Sequence, residues 1–183
     1  MNLFGFPVGP ITLADEVGID VGAHIMGGEL MDELLASRPK FKVSKTLLDV
    51  SKAGYKGRKN KKGFYKYDEK GKKVSGQVDA EIYSFYGGNS RTKMDANDIH
   101  MRCGFAMINE AALCLQEGII ESPLDGDIGA VFGLGFPPFR GGPFRYIDEL
   151  GAQKAVDILN DLTARFGERF EPAQILLDYA KNG

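Results

Sequence analysis

The chain has 183 residues, with 23 Lys and Arg against 25 Asp and Glu for a formal net charge of -2, and 43% of it is hydrophobic. That is the composition of a globular chain able to bury a core, as one ordinary domain or two small ones. The near balance of charge gives no general pull towards nucleic acid or acidic lipid. No apolar run approaches the ~20 residues of a membrane span. Met1-Asn2-Leu3-Phe4-Gly5 lacks a basic region followed by an apolar stretch, so no signal peptide is read there.

In chain order, Gly5-Phe6-Pro7-Val8-Gly9-Pro10 reads as a loop leading into a helix. Proline is tolerated at the first helical position, and Gly18 stands where that helix should stop. Asp20 can cap a helix running to about Ser37, with Ile25, Leu30, Leu34 and Leu35 apolar, and a further helix covers about Ser44 to Ala53. Residues 54–74 are basic and glycine-rich, with Phe64-Tyr65-Lys66-Tyr67 as a short extended piece. Asp79 to Tyr86 reads as one or two helical turns, and Gly87 to Lys93 as a polar linker. A long helix follows from about Asp95 to Glu117. Met101, Phe105, Ile108, Ala112 and Leu115 share one face of it, and Met107, Ala111 and Cys114 widen the apolar surface. Only Arg102, Asn109 and Gln116 form a polar stripe, so this helix is expected to be central and buried. Gly118 ends it. Helices from about Ala152 to Phe166 and from Pro172 to Lys181 close an all-α chain.

Gly135-Phe136-Pro137-Pro138-Phe139-Arg140-Gly141-Gly142-Pro143 repeats the opening motif with a longer loop. The register then continues, Asp15, Glu16 and Gly18 matching Asp148, Glu149 and Gly151. Duplication of one structural unit explains such a match. The long helix precedes the second copy, and no equivalent precedes the first. The chain is therefore read as a piece cut inside a domain: a truncated first helical unit over 1–70 with its basic loop, a linker over 71–94, and a complete second unit over 95–183. The first unit is expected to be the less ordered half.

Three features offer little chemistry. Gly133-Leu134-Gly135 follows an apolar run, but Pro137-Pro138 stands where a dinucleotide fingerprint needs its third glycine and a helix start. His24 and His100 lack a partner at ligand or dyad spacing, so both are read as structural or surface residues. Cys103 and Cys114 fall on one helix roughly 16 Å apart, beyond the ~7 Å Cα separation of a disulfide. No CxxC or histidine cluster suggests a metal site. Arg102 and Glu110, on a mostly apolar helix, are expected to be buried and paired.

Gly5-Phe6-Pro7-Val8-Gly9-Pro10 with Leu13-Ala14-Asp15-Glu16-Val17-Gly18-Ile19-Asp20, and Gly57-Arg58-Lys59 with Gly63-Phe64-Tyr65-Lys66-Tyr67, resemble the C-terminal domain of 3-hydroxyacyl-CoA dehydrogenases. So do Asn109-Glu110-Ala111, Leu115-Gln116-Glu117-Gly118-Ile119, the run from Gly126 to Pro138, and Gly141-Gly142-Pro143-Phe144-Arg145. The duplication is similar to multifunctional fatty-acid-oxidation α-subunits, and the second half looks closest to that of the mitochondrial trifunctional enzyme. The resemblance implies two helical units of the 6-phosphogluconate dehydrogenase C-terminal-like type. It implies a parent with an enoyl-CoA hydratase domain and a Rossmann domain that binds NAD and carries a catalytic His–Glu pair. Neither catalytic residue is found here, so the chain alone is expected to bind no NAD and to be inactive. By the same resemblance the partners are an acyl-CoA substrate, a second copy and a thiolase β-subunit, with membrane association only through the parent complex, no nucleic acid, and a mitochondrial location.

The resemblance also suggests substrate-binding residues. Phe6, Pro7 and Val8 would line the acyl end of the cleft, or only pack. Arg58 and Lys59, crowded by Lys56, Lys61, Lys62 and Lys66, would meet CoA phosphates, or form a solvated loop around a Gly-Phe-Tyr turn. The non-enzymatic alternative is a helical module for dimerisation or thiolase docking.

Overall fold

The computed structural model describes residues 1–182. The backbone divides into two compact units, Val8–Lys93 and a unit that joins Met1–Pro7 to Met94–Gly183. We call the former the hairpin unit and the latter the helical unit.

The hairpin unit opens with α1 (Pro10–Val17), which begins at its proline and ends at Gly18. The single helix expected up to Ser37 is two helices, α2 (Ile19–Met26) and α3 (Glu29–Ser37). Gly27 and Gly28 break it, because each costs about 1 kcal/mol against alanine inside a helix. After α4 (Thr46–Lys52) comes an antiparallel pair, β1 (Tyr65–Tyr67) and β2 (Lys73–Val78), in register Tyr65 to Val78 and Tyr67 to Lys73 with an irregularity between. A 3-10 segment over Ala80–Tyr86 is capped by the Asp79 side chain. Ile19, Val50, Tyr55, Phe64 and Ile82 form the core of this unit. Residues 71–94 are therefore no plain linker. They supply β2 and the 3-10 turn, because Ile82, Tyr83 and Phe85 are an apolar cluster that packs on the same core.

In the helical unit α5 (Ala96–Gln116) is the expected long helix, capped by the Asp95 carboxylate, which accepts from Asn97 N–H at 2.8 Å. α6 (Pro123–Leu134) was not foreseen, although Ser122 at its N-cap and Pro123 at its first position are a start signal. α7 (Pro143–Leu150), α8 (Ala152–Phe166) and α9 (Gln174–Asn182) follow. Phe105, Ile108 and Ala112 of α5 meet Phe136, Ile147, Leu159, Leu162 and Leu176 in the core. The α5 polar stripe is a seam with the approach to α9. Asn109 is buried, its amide donating to Glu171 O at 2.8 Å and accepting from Ala173 N–H at 2.8 Å, and Gln116 accepts from Ile175 N–H at 3.0 Å.

Residues 1–7, expected in the first unit, belong to the helical unit because two aromatic side chains anchor them. Phe4 and Phe6 are buried in its core, each meeting Phe136 edge-on with centroids 5.9 and 5.7 Å away. Gly104 of α5 makes room for the Phe4 ring, since a Cβ there would stand 3.0 Å from it. The Arg140 guanidinium lies 4.3 Å from the Phe4 ring centroid and its Nε–H donates to Phe4 O at 2.8 Å.

Candidate functional site

The basic loop of the hairpin unit is built around Asp15. On α1, this side chain is fully buried, and its carboxylate accepts from Phe64 N–H, Tyr65 N–H and Tyr67 Oη–H at 2.9, 3.0 and 2.8 Å. The loop closes tightly over it. A Cβ on Gly57, whose φ is 80°, would collide with the Asp15 backbone, and one on Gly63 with its carboxylate. The Gly57-Arg58-Lys59 and Gly63-Phe64-Tyr65 motifs are thus the two sides of a clasp on one aspartate. Burial and the bond to Asp15 push the Tyr67 phenol well above its ordinary range. In the sequence Asp15 stands as a repeat match and as part of a resemblance motif, with no role assigned to it. The signal for its role was the pair of glycines, which together demand a close approach.

The clasp displays the predicted cations, and acidic residues of α1 and α2 hold them. Arg58 donates to Glu16 at 2.8 Å and to Gly71 O at 3.0 Å, and the bond to Glu16 raises the Arg58 pKa. Lys59 forms an ion pair with Asp20, whose carboxyl it holds below the usual range. Lys61 donates to Glu69 O at 2.5 Å, and Lys62 lies over the Tyr55 ring at 4.2 Å. A phosphate would have to compete with these partners.

Phe6, Pro7 and Val8 do not act as one group. Phe6 is a core side chain of the helical unit, whereas Pro7 and Val8 are exposed at the division between the units. Beside the clasp, the hairpin unit contains an apolar groove of roughly 400 Å³ whose walls include Ile11, Met26, Met31, Leu34, Phe41 and Leu47. The helix α1 leaves this face open. Ile11 is 46% exposed, whereas its repeat counterpart Phe144 on α7 is 5% exposed. Leu13 is likewise exposed where its counterpart Tyr146 is buried. In the helical unit these side chains are covered: Phe144 packs against α6, where a Cβ on Gly126 would collide with its ring, and Tyr146 meets Phe4 edge-on with centroids 5.4 Å apart.

Gly133-Leu134-Gly135 ends α6, with Gly135 as its C-cap. The end of a helix carries its carbonyls and negative dipole, which repels a pyrophosphate. These residues therefore do not fit NAD. His24 is exposed, and His100 Nδ1 lies 3.0 Å from Ala96 O one turn back on α5. Neither Cys103 nor Cys114 is in a disulfide. Arg102 stacks over Phe166 at 4.4 Å and is half-buried, while its Nε has no hydrogen-bond partner among the described residues. No group of three or more His, Cys, Asp or Glu placed to hold a metal occurs among the described residues, and no described helix is long and apolar enough to cross a membrane.

Comparison with known proteins agrees with this fold. The model of the 3-hydroxyacyl-CoA dehydrogenase C-terminal domain matches residues 1–67 and 99–183. A fatty acid oxidation complex subunit alpha from Shewanella amazonensis is 51% identical over 98% of this chain and 25% of its own length. One from Vibrio parahaemolyticus is 49% identical, with 98% of this chain and 24% of that protein covered. The chain thus spans about a quarter of these relatives. Among solved structures, a 3-hydroxybutyryl-CoA dehydrogenase from Escherichia coli shares the fold at a TM-score of 0.72 and 19% identity, over 98% of this chain and 52% of that one. The dehydrogenase part of multifunctional enzyme 1 from C. elegans does so at 0.60 and 20% identity, over 97% and 40%. The mitochondrial location expected from the sequence is corrected by the Shewanella and Vibrio relatives: both are bacterial, and bacteria have no mitochondria. With most of its length matched by one family model, the chain belongs to the 3-hydroxyacyl-CoA dehydrogenase family, through that family's C-terminal domain.

Proposed function

We propose that the chain is the C-terminal helical region of a fatty acid oxidation α-subunit, and that within a longer polypeptide it completes the acyl-CoA cleft of an NAD-dependent 3-hydroxyacyl-CoA dehydrogenase. The observation that carries this reading is the open face of α1. The same repeat is covered by α6 and Phe4 in the helical unit and bare in the hairpin unit, where it borders an apolar groove. Such a face suits contact with further parts of a chain four times as long, as the relatives are.

The division of labour follows from the residues present. The clasp on Asp15 fixes the hairpin rigidly, so Arg58 and Lys59 can present positive charge to CoA phosphates at the cost of exchanging Glu16 and Asp20. Pro7 and Val8 are each exposed and available to an acyl chain, and Phe6 anchors the segment up to Pro7 in the helical core. Hydride and proton transfer fall to residues outside these 183. NAD is bound by the longer polypeptide. A second copy and a thiolase β-subunit are the protein partners. The test is NADH formation from 3-hydroxyacyl-CoA: the 183-residue chain alone should give none, and clear turnover by it would overturn the assignment.

A further inference from the structure

A half-buried charge on a mostly apolar helix is expected to be paired, and Arg102 of α5 is not. Its guanidinium stacks on Phe166 at 4.4 Å, and Nη1–H donates to Met94 Sδ, a weak acceptor, at 3.1 Å. The other edge is the fork of Nε–H and Nη2–H. It meets no acceptor among the described residues, and its Nε end is closed off from solvent. Folded proteins rarely leave a buried donor in that state, and each case calls for a physical reason.

A second guanidinium stands nearby. Gly167, with a φ of 100°, turns the chain from α8 into a 3-10 turn over Glu168–Phe170, which packs on α5. The turn sets Arg169 over the Phe170 ring at 5.2 Å, and that ring meets Phe166 edge-on with centroids 6.5 Å apart. Partial burial, and after it the like charge of Arg102, lowers the Arg169 pKa. Neither Arg102 nor Arg169 is in an ion pair among the described residues. Arg165 differs: it also lies over Phe166, at 4.8 Å, but Asp98 and Asp161 both hold it. Two like charges, partly desolvated and side by side without a carboxylate, are destabilising, and a bound anion relieves that.

We infer that Arg102 and Arg169 form an anion site between α5 and the 3-10 turn, and that its ligand is a phosphate group, free or esterified. The fork of Arg102 matches two oxygens of one phosphate. Two unpaired positive charges match the nearly double negative charge that a phosphate carries at neutral pH. A carboxylate supplies one charge and would leave the second guanidinium unmatched. The anion approaches Nη2, the end of the fork open to solvent, and a small rotation of the Arg102 side chain brings Nε–H to it. The two phenyl rings hold the guanidinium planes beforehand, so less side-chain freedom is lost on binding.

The site lies in the helical unit, whereas the basic clasp is in the hairpin unit, and it is read without any enzyme assay. It and the dehydrogenase assignment therefore fail separately. The experiment is titration calorimetry of the 183-residue chain at low salt and neutral pH, with inorganic phosphate, phenyl phosphate and acetate as probes. Far-UV circular dichroism follows helix content. At least one phosphate compound should bind saturably, and acetate about tenfold more weakly or not at all. Arg102→Lys keeps the charge and removes the fork, and Arg169→Gln removes the second charge. Each should weaken phosphate binding about tenfold with helix content unchanged. Arg145→Gln, an exposed arginine elsewhere on the unit, should bind like wild type. Inorganic phosphate binding as tightly as phenyl phosphate assigns the site to free phosphate, and weaker binding assigns it to an ester; both uphold it. No saturable phosphate binding, or acetate binding as tightly, overturns the inference. So does binding unchanged in a folded Arg102 or Arg169 variant, or lost in Arg145→Gln. If Arg102→Lys loses helix content, Arg169→Gln decides alone.

Discussion

Replacing Asp15 with alanine should unfasten the hairpin unit. Three donors converge on this carboxylate: two backbone N–H groups and the Tyr67 hydroxyl. A hydrogen bond to a charged acceptor is worth about 1.5–3 kcal/mol, and a buried donor left without a partner costs about 1–3 kcal/mol. The three contributions overlap, since water can enter once the carboxylate is gone, so a loss of about 4 kcal/mol is expected for the unit. That is a large part of the ~5–15 kcal/mol that holds a typical domain together. The asparagine variant keeps the shape and one acceptor oxygen but turns an NH₂ towards a donor, and should lose about half as much. The assay is urea unfolding followed by tyrosine emission, which favours this unit because Tyr55, Tyr65, Tyr67, Tyr83 and Tyr86 all lie in it. An Asp15→Ala midpoint indistinguishable from wild type would refute the clasp. So would an asparagine variant less stable than the alanine one.

Other perturbations separate the units. Phe4→Ala should destabilise the helical unit by about 3 kcal/mol, in the range of buried aromatic truncations, and amide exchange should show α5 opening more often while the hairpin unit is unchanged. Asn109→Ala leaves the Glu171 carbonyl and Ala173 N–H without their partner, at about 2 kcal/mol, read as a lower thermal midpoint with protection lost first in α9. The raised Tyr67 pKa, caused first by burial and then by Asp15, means that its neutral form stabilises the fold. That contribution is complete below the free-tyrosine pKa of 10.0 and is lost as pH rises beyond it. Alkaline unfolding followed by tyrosinate absorbance should therefore start in the hairpin unit, and Tyr67→Phe should weaken the pH dependence.

Backbone rules made the repeat legible. Pro10 and Pro143 start helices, Gly18 and Gly151 stop them, and the apolar girth of α5 announced a central helix. Residues 135–143 were read as a loop, but the helix before them was missed because its apolar residues point outward as well as inward, leaving no clean amphipathic period. The break at Gly27-Gly28 was outweighed by the run of leucines beyond it. Long-range contacts were beyond a sequence pattern. Nothing local says that Phe4 joins a core 100 residues away, or that the stripe Asn109 and Gln116 faces a backbone rather than water. Of the candidate site, the loop's basic character was visible and its dependence on Asp15 was not. That dependence is a tertiary hydrogen-bond pattern, and a single aspartate on a helix carries no such mark.

The cleft reading is tested most directly in a chimera. In the Shewanella amazonensis α-subunit, the quarter that matches this chain at 51% identity can be exchanged for these 183 residues, with a second version in which that quarter is deleted. NADH formation from 3-hydroxyacyl-CoA is then measured on both. If the chain completes the acyl-CoA cleft, the chimera turns over substrate and the deletion does not. A folded chimera as inactive as the deletion, or a deletion as active as the intact subunit, contradicts it.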